Sequence, residues 1–305
     1  MKKSVSLPNR LLTQLALVLL WLVAHLPHRL ALAVGGGMGR LYLLSSRRRR
    51  RVAKVNLEMC FPELAPEGRR ALLRAHFSSL GRGLVEMAIG WWTDLSPVLA
   101  RTEMKGLEHL TAAAARGRGV VLLSAHFTGL ELGGALLNTR IPFAVVYRKH
   151  EHPVVQRQFA RSRARLFRRA IPRNDIKQML RALKAGEIVW FAADQHPKKR
   201  SGVMAEFFGI TTLTSTSPAR IARAAGSPVV PFFPHHRADG GYVLRLLPAL
   251  EGFPSGDDGL DATRINRIIE EEIRREPREY LWIHRRFKTT AGSFGDPYNP
   301  AAGDD

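Results

Sequence analysis

The pattern of apolar and polar positions divides the chain into two textures. Near the start, Lys2, Lys3 and Arg10 precede an apolar run from Leu11 to Ala24, and a second apolar stretch runs from Leu30 to Leu44 through Gly35-Gly36-Gly37. A basic start followed by an apolar run resembles a secretory signal, but His25, Pro27, His28 and Arg29 follow it and offer no small-residue cleavage site. The first run is somewhat short of the ~20 residues of a comfortable span. Basic residues flank the apolar segments on both sides, so charge bias gives no orientation. The pattern predicts an uncleaved anchor over residues 1–45, as one short span or a helix in the membrane interface, with residues 46–305 forming the second domain. The arginines Arg47 to Arg51 would then lie against anionic headgroups, each adding roughly 1 kcal/mol of attraction. The alternative is a buried core helix followed by a solvated basic loop.

From Val52 to Trp92 the spacing predicts helices broken at Cys60–Pro66, the second from about Glu67 to Ile89. After Gly117 the pattern changes. Gly119 to Ser124 is a short apolar run suited to a strand buried on both faces. Leu130 to Asn138 reads as a helix, Ile141 to Tyr147 as a strand, and His152 to Arg169 as a basic helix. Asp175 to Lys184 is a further helix, ended by Gly186. Glu187 to Asp194 is a strand that terminates on a carboxylate. Pro228 to Pro234 and Tyr242 to Pro248 supply two more strands, and Ala262 to Arg275 a late helix. Strands alternating with helices predict an α/β fold: a mixed, largely parallel sheet flanked by helices, with the N-terminal hydrophobic anchor attached. Ligands of such sheets bind beyond the carboxyl ends of the strands, where His126 and Asp194 both fall.

Composition adds one strong constraint. The 305 residues carry a formal net charge of +21, with 45% hydrophobic residues. That charge predicts an acidic partner without naming it: nucleic acid, anionic lipid and an acidic protein all qualify. The single cysteine, Cys60, excludes an intrachain disulfide and any Cys-rich metal site. His150, His152, His196 and His235-His236 lack metal-ligand spacing, no P-loop precedes a helix, and Gly-x-Ser-x-Gly is absent; neither a metal nor a redox cofactor is expected.

The segment His126-Phe127-Thr128-Gly129-Leu130-Glu131 carries the most specific chemistry. In one continuous helix, residues five apart point about 140° away from each other. His126 and Glu131 can therefore meet only across a strand–turn–helix junction. Glu131 could then hold one imidazole nitrogen, leaving the other to take a proton from a hydroxyl, a role worth typically ~10²–10⁴-fold in rate. Thr128-x-x-Glu131 also matches a helix capping box, and spacing alone does not choose between the two roles.

These residues, taken in order, resemble the lysophospholipid acyltransferase superfamily through His126-x-x-x-x-Glu131, and more narrowly the late acyltransferases of lipid A biosynthesis, the lauroyl/myristoyl transferases of Gram-negative bacteria. The resemblance covers nearly the whole chain: Arg50 to Leu57, Cys60-Phe61-Pro62-Glu63-Leu64, His126 to Gly133, Val146-Tyr147-Arg148, Asp194-Gln195, Phe207-Phe208-Gly209, and the block from Pro277 to Thr289. It implies transfer of a lauroyl-like fatty acyl group from acyl carrier protein to a hydroxyacyl chain of a Kdo-bearing lipid A precursor, at a bacterial inner membrane with the catalytic domain on the cytoplasmic side. It implies catalytic roles for His126, Glu131, Arg163 and Asp194, and substrate contacts at Thr128, Gly129, Arg148, Gln195, Phe208 and Gly209. Asp194 is expected to hold Arg163, which would stabilise an oxyanion or a substrate phosphate. The acid is Glu131 and not Asp, and Phe61-Pro62-Glu63 lies upstream and is followed by Leu64, so a glycerol-phosphate acceptor is disfavoured. The basic clusters Arg157, Arg161, Arg165, Arg168 and Arg169, Lys198-Lys199-Arg200 and Arg285-Arg286 are candidate docking faces for the acidic carrier or an anionic membrane surface. The alternatives are a relative acting on another glycolipid or aminolipid, with acyl-CoA as donor, and a basic nucleic-acid-binding protein. For the last no binding motif is present, and nucleic acid is not an expected partner.

Overall fold

A computed structural model describes residues 6–290 and 296–299. It begins with two apolar helices, α1 (Leu7–Ala24) and α2 (His28–Ser45), followed by α3 (Arg47–Cys60) and the long α4 (Pro66–Trp92). Next come α5 (Ser96–Leu99), β1 (Thr102–Lys105), α6 (Leu107–Ala114), β2 (Val120–Ser124), α7 (Leu130–Asn138), β3 (Ala144–Tyr147), α8 (Pro153–Leu166) and β4 (Arg169–Pro172). The chain continues through α9 (Ile176–Lys184), β5 (Ile188–Ala192), β6 (Gly202–Phe207), β7 (Ile210–Ser215), α10 (Ser217–Ala225), β8 (Val229–His236), β9 (Tyr242–Leu246) and α11 (Asp258–Arg275).

Seven strands form one sheet in the order β1-β9-β8-β2-β5-β3-β4, parallel except where β8 meets β9, and β6 and β7 form a separate antiparallel hairpin. The expected mixed, largely parallel sheet flanked by helices is present. All five residues of β2 are buried. Val120 and Leu122 enter the apolar core on one face, with Leu132 and Leu136 of α7 and Ile89 of α4. Val121 and Leu123 enter the other, with Leu57 of α3 and Ile269 of α11. The alternation of a strand is therefore invisible in its sequence when both faces are covered.

Local signals account for several boundaries. Asp175 caps α9 by accepting from the Gln178 amide at 3.0 Å, and Gly186 follows with φ +81°. Asp257 caps α11 through the amides of Gly259 and Leu260. Where expectation and structure differ, side-chain bonds explain the shift. The strand expected from Ile141 starts at Ala144, because Phe143 donates its amide to Asn138 Oδ1. The basic helix stops at Leu166, whose carbonyl accepts from Asn138 Nδ2, and Arg169 opens β4 instead. Arg47 to Arg51 form the first turns of α3, not a loop.

α1 is the one helix among the described residues that is long and apolar enough to cross a membrane, with mean hydropathy 1.5 and only 11% of it buried. Leu11, Leu12, Leu15, Val18, Leu19 and Leu22 are all more than half exposed, which is not the profile of a core helix. α2 differs. Its glycines let it lie directly on α4: a Cβ on Gly39 would stand 1.9 Å from the Phe77 carbonyl oxygen, and one on Gly81 2.1 Å from that of Gly35. Gly35 and Gly36 of the glycine run, with Gly39, thus serve helix–helix approach, whereas Gly37 faces open space.

Candidate active site

The register of the central strands creates the site. β2 pairs with β5 in parallel with Ser124 opposite Ala192, so the residues two positions beyond each strand, His126 and Asp194, leave the sheet side by side. His126 Nδ1 stands 2.6 Å from Asp194 Oδ1. An ionised carboxylate only accepts, so Nδ1 carries the hydrogen and Nε2 is left as the basic nitrogen. Burial pushes the Asp194 carboxyl up, but the imidazole charge, its hydrogen bond and the backbone amide of His126 more than reverse this, holding it at about 2. Burial likewise pulls the His126 imidazole down, and the charges of Asp194 and Glu131 more than offset it, leaving it above its ordinary value.

Glu131 does not hold His126. It sits in the first turn of α7 and faces Arg163 Nη2 at 3.7 Å, an ion pair longer than a hydrogen bond. Arg163, expected on Asp194, lies on α8 sandwiched between the rings of Tyr147 and Phe159, its Cζ 4.8 and 4.5 Å from their centroids. The two carboxylates have therefore exchanged partners relative to expectation: Asp194 orients the histidine and Glu131 pairs with the arginine. The reason is register. Asp194 leaves the neighbouring strand at the histidine's level, whereas Glu131 is carried one helical turn away toward α8. Burial pushes the Glu131 carboxyl above the ordinary range despite Arg163 and His126, and lowers the Arg163 guanidinium. A cavity of about 310 Å³ opens beside Arg163, Tyr147 and Phe167.

The capping box is not formed. Gly129 is the N-cap of α7, and the Thr128 hydroxyl instead bonds Ser79 Oγ at 2.7 Å. Gly129 lies against the His236 ring and the Glu86 carboxylate. Arg148 is exposed and pairs with Glu151 at 3.3 Å, while Gln195 is half-buried next to Asp194. Phe208 (φ +52°) and Gly209 (φ +72°) make the two-residue turn of the β6–β7 hairpin, both in the left-handed conformation that such turns require. Phe208 is held there by its amide, which donates to Glu270 Oε1 at 2.7 Å, and by packing on Phe61, Phe207 and Trp282.

The block from Pro277 to Thr289 brackets the histidine turn. The Thr128 amide donates to the Glu279 carbonyl at 2.7 Å, the Leu281 amide to the His126 carbonyl at 2.9 Å, and Phe127 bridges Tyr280. The block is itself fastened by Asn56 of α3, which donates to the carbonyls of Trp282 and His284. Below it lies an ionic cluster that sequence spacing did not reveal. His236 bonds Glu86 (2.6 Å) and Glu279 (2.9 Å), His235 bonds Glu272 (2.9 Å) and Glu279 (3.3 Å), and Tyr242 donates to Glu86. These acids come from three segments distant in sequence, Glu86 on α4, Glu272 on α11 and Glu279 in the turn at Pro277–Glu279.

Among the described residues, the hydrogen-bond partner of the His126 side chain is Asp194, and no serine, threonine or cysteine side chain bonds it. The class of protein that this fold and arrangement define is an acyltransferase. The chain belongs to the bacterial lipid A biosynthesis acyltransferase family, whose model matches residues 1–289. It is 36% identical to the lipid A biosynthesis lauroyltransferase of Escherichia coli K12 over 92% of this chain and 93% of that one. Its identity to the palmitoleoyltransferase of the same organism is also 36%, over 92% of each. A lipid A biosynthesis acyltransferase of Haemophilus influenzae is 30% identical over 87% of this chain and 86% of its own length.

Proposed function

We propose that the protein transfers a lauroyl-like fatty acyl group from acyl carrier protein to a hydroxyl on a hydroxyacyl chain of a Kdo-bearing lipid A precursor, with His126 as general base. The observation that carries the base is the 2.6 Å bond between His126 Nδ1 and Asp194, which fixes the tautomer with Nε2 free to accept a proton. In this mechanism Nε2 takes the acceptor's hydroxyl proton as that oxygen attacks the thioester carbonyl. The tetrahedral oxyanion collapses, the carbon–sulfur bond breaks, and the imidazolium returns the proton to the departing thiolate. Asp194 keeps the imidazolium favourable throughout. Arg163, held by Glu131 and two aromatic rings, supplies fixed positive charge for the oxyanion or for a donor phosphate.

The exposed apolar surface of α1 supports anchoring of residues 1–45 in a bacterial inner membrane, with the basic start of α3 at the cytoplasmic surface. Exposed Arg157, Arg161, Arg165, Arg168 and Arg169 support docking of an acidic donor protein on the side of Arg163. Lauroyl- and palmitoleoyl-named relatives match equally well, so chain length is read by assay. The purified protein, given acyl carrier protein thioesters and CoA thioesters of several lengths with a lipid A precursor, is expected to use the carrier-protein donors. Transfer from CoA alone, or to an aminolipid alone, would favour the related-acceptor alternative.

A further inference from the structure

A second cavity, of about 480 Å³, is walled by Arg40, Arg74, Arg82, Arg237 and Arg278 and floored by Ser78, Ser79 and His236. Its construction is unusual for a surface. Arg74, Ser78 and Arg82 follow one another at four-residue intervals on α4 and share one face, with the small serine leaving space between the two arginines. Arg40 faces them from α2. Among the described residues, no ion pair involves Arg40, Arg74 or Arg82, whereas Arg237 pairs with Glu103 and Asp239, and Arg278 with Glu276 and Glu279. Three unneutralised guanidiniums around one cavity point to an anion that is supplied from outside.

The acids at the floor are matched by basic groups. Glu86 and Glu279, the latter itself in the cavity wall, raise His236 to about 10 against the effect of burial, and His235, also held above its ordinary value, and Arg245 pair with Glu272, so three acids face three basic groups. Two observations bear on the occupant. Arg40 lies on α2, the helix that also carries the exposed side chains of Leu41 and Leu44. On its inner side Ser79 bonds Thr128, two residues from His126. A phosphodiester headgroup carries one charge, whereas a phosphomonoester carries about two near neutral pH and matches several guanidiniums better.

We infer that this cavity binds a phosphomonoester on the headgroup of the acceptor glycolipid, so that Arg40, Arg74, Arg82 and Arg278 position the acceptor relative to His126. The inference rests on the proposed lipid acceptor and assigns the site that recognises it. The test uses the full-length protein in neutral detergent, a phosphorylated lipid A precursor and the same lipid after phosphatase treatment. The wild type is expected to bind and use the phosphorylated lipid with a KM about tenfold or more below that of the dephosphorylated one. In the Arg74→Ala/Arg82→Ala protein that discrimination collapses to about twofold or less, and Arg82→Lys retains part of it. Equal use of both lipids by the wild type, or full discrimination by the double variant, overturns the proposal. So does a double variant that keeps discrimination but loses binding to phosphatidylglycerol vesicles, which would make the cavity a contact for bulk lipid. Direct binding of both lipids to the His126→Ala protein separates the two claims: phosphate-dependent binding without turnover by the wild type upholds the cavity and removes the acyl-transfer reading, and turnover without phosphate-dependent binding does the reverse.

Discussion

His126 and Asp194 meet at 2.6 Å because they occupy equivalent positions beyond two adjacent parallel strands in register, Ser124 opposite Ala192. The contact decides the histidine's tautomer, and it gives the carboxylate a measurable effect on pH dependence. The imidazole is held above its ordinary value, so kcat/KM is expected to rise with pH through that raised value and level off on the alkaline side. In Asp194→Asn the charge that raises it is gone. The limb should move toward acid pH while the plateau falls by about 10²–10⁴-fold. A pH profile that keeps its limb, or shifts it to alkaline pH, would remove Asp194 from this role.

Glu131 and Arg163 form the other pair, and their coupling is separable from the histidine. Arg163 is buried between Tyr147 and Phe159, so Glu131→Gln leaves a guanidinium without its counter-charge. In a cycle with Arg163→Met, denaturant unfolding should show a coupling of about 0.5–3 kcal/mol, with the double variant less destabilised than the sum of the singles. Additive effects would mean that the 3.7 Å pair contributes nothing to holding α8 against α7.

Gly83 tests how tightly the histidine turn is held. A Cβ there would stand 2.3 Å from the Thr128 carbonyl oxygen, and backbone cannot yield cheaply. Gly83→Ala is expected to cost about 1–3 kcal/mol of stability and to lower kcat about tenfold or more by displacing the His126 turn. Wild-type turnover in a folded Gly83→Ala protein would show that the turn tolerates movement.

Much of this was legible from residues alone. The apolar runs announced β2, β5 and β8, and α7 falls on Leu130–Asn138 as the periodicity predicts. His126 and Asp194 were legible as strand-end residues. Their partnership was not, because it depends on β5 inserting beside β2 in the sheet order, which no local pattern encodes. Spacing within one segment allowed Glu131 as the histidine's partner but left the choice open, because the deciding contact depends on register between strands. The four-residue strands β1 and β4 are too short for alternation to declare, and no local pattern marks Arg163 as buried, because aromatic neighbours from β3 and its own helix supply the burial. The cluster of His235 and His236 was invisible as well, since its acids arrive from α4, α11 and the turn at Glu279.

That cluster has its own signature in stability. The folded-state value of His236 is raised to about 10 by Glu86 and Glu279 against the opposing effect of burial. A raised value contributes stability that is complete below the ordinary histidine range and is lost as pH rises through about 10. Urea unfolding is therefore expected to show stability declining from about pH 6.5 upward, and His236→Gln should flatten that decline. The same substitution leaves two buried acids short of a partner, a loss of about 3–5 kcal/mol at neutral pH. A wild-type stability that is flat from neutral to pH 10 would contradict the assignment.

The most direct test of the whole account is single-turnover acyl transfer from acyl carrier protein to a lipid A precursor, comparing the wild type with His126→Gln. Rapid transfer is expected from the wild type and a loss of about 10²–10⁴-fold in the variant, with its fold and donor binding retained. Transfer by His126→Gln within a few-fold of the wild type would contradict the central claim that the Nε2 nitrogen of His126 takes the acceptor's proton.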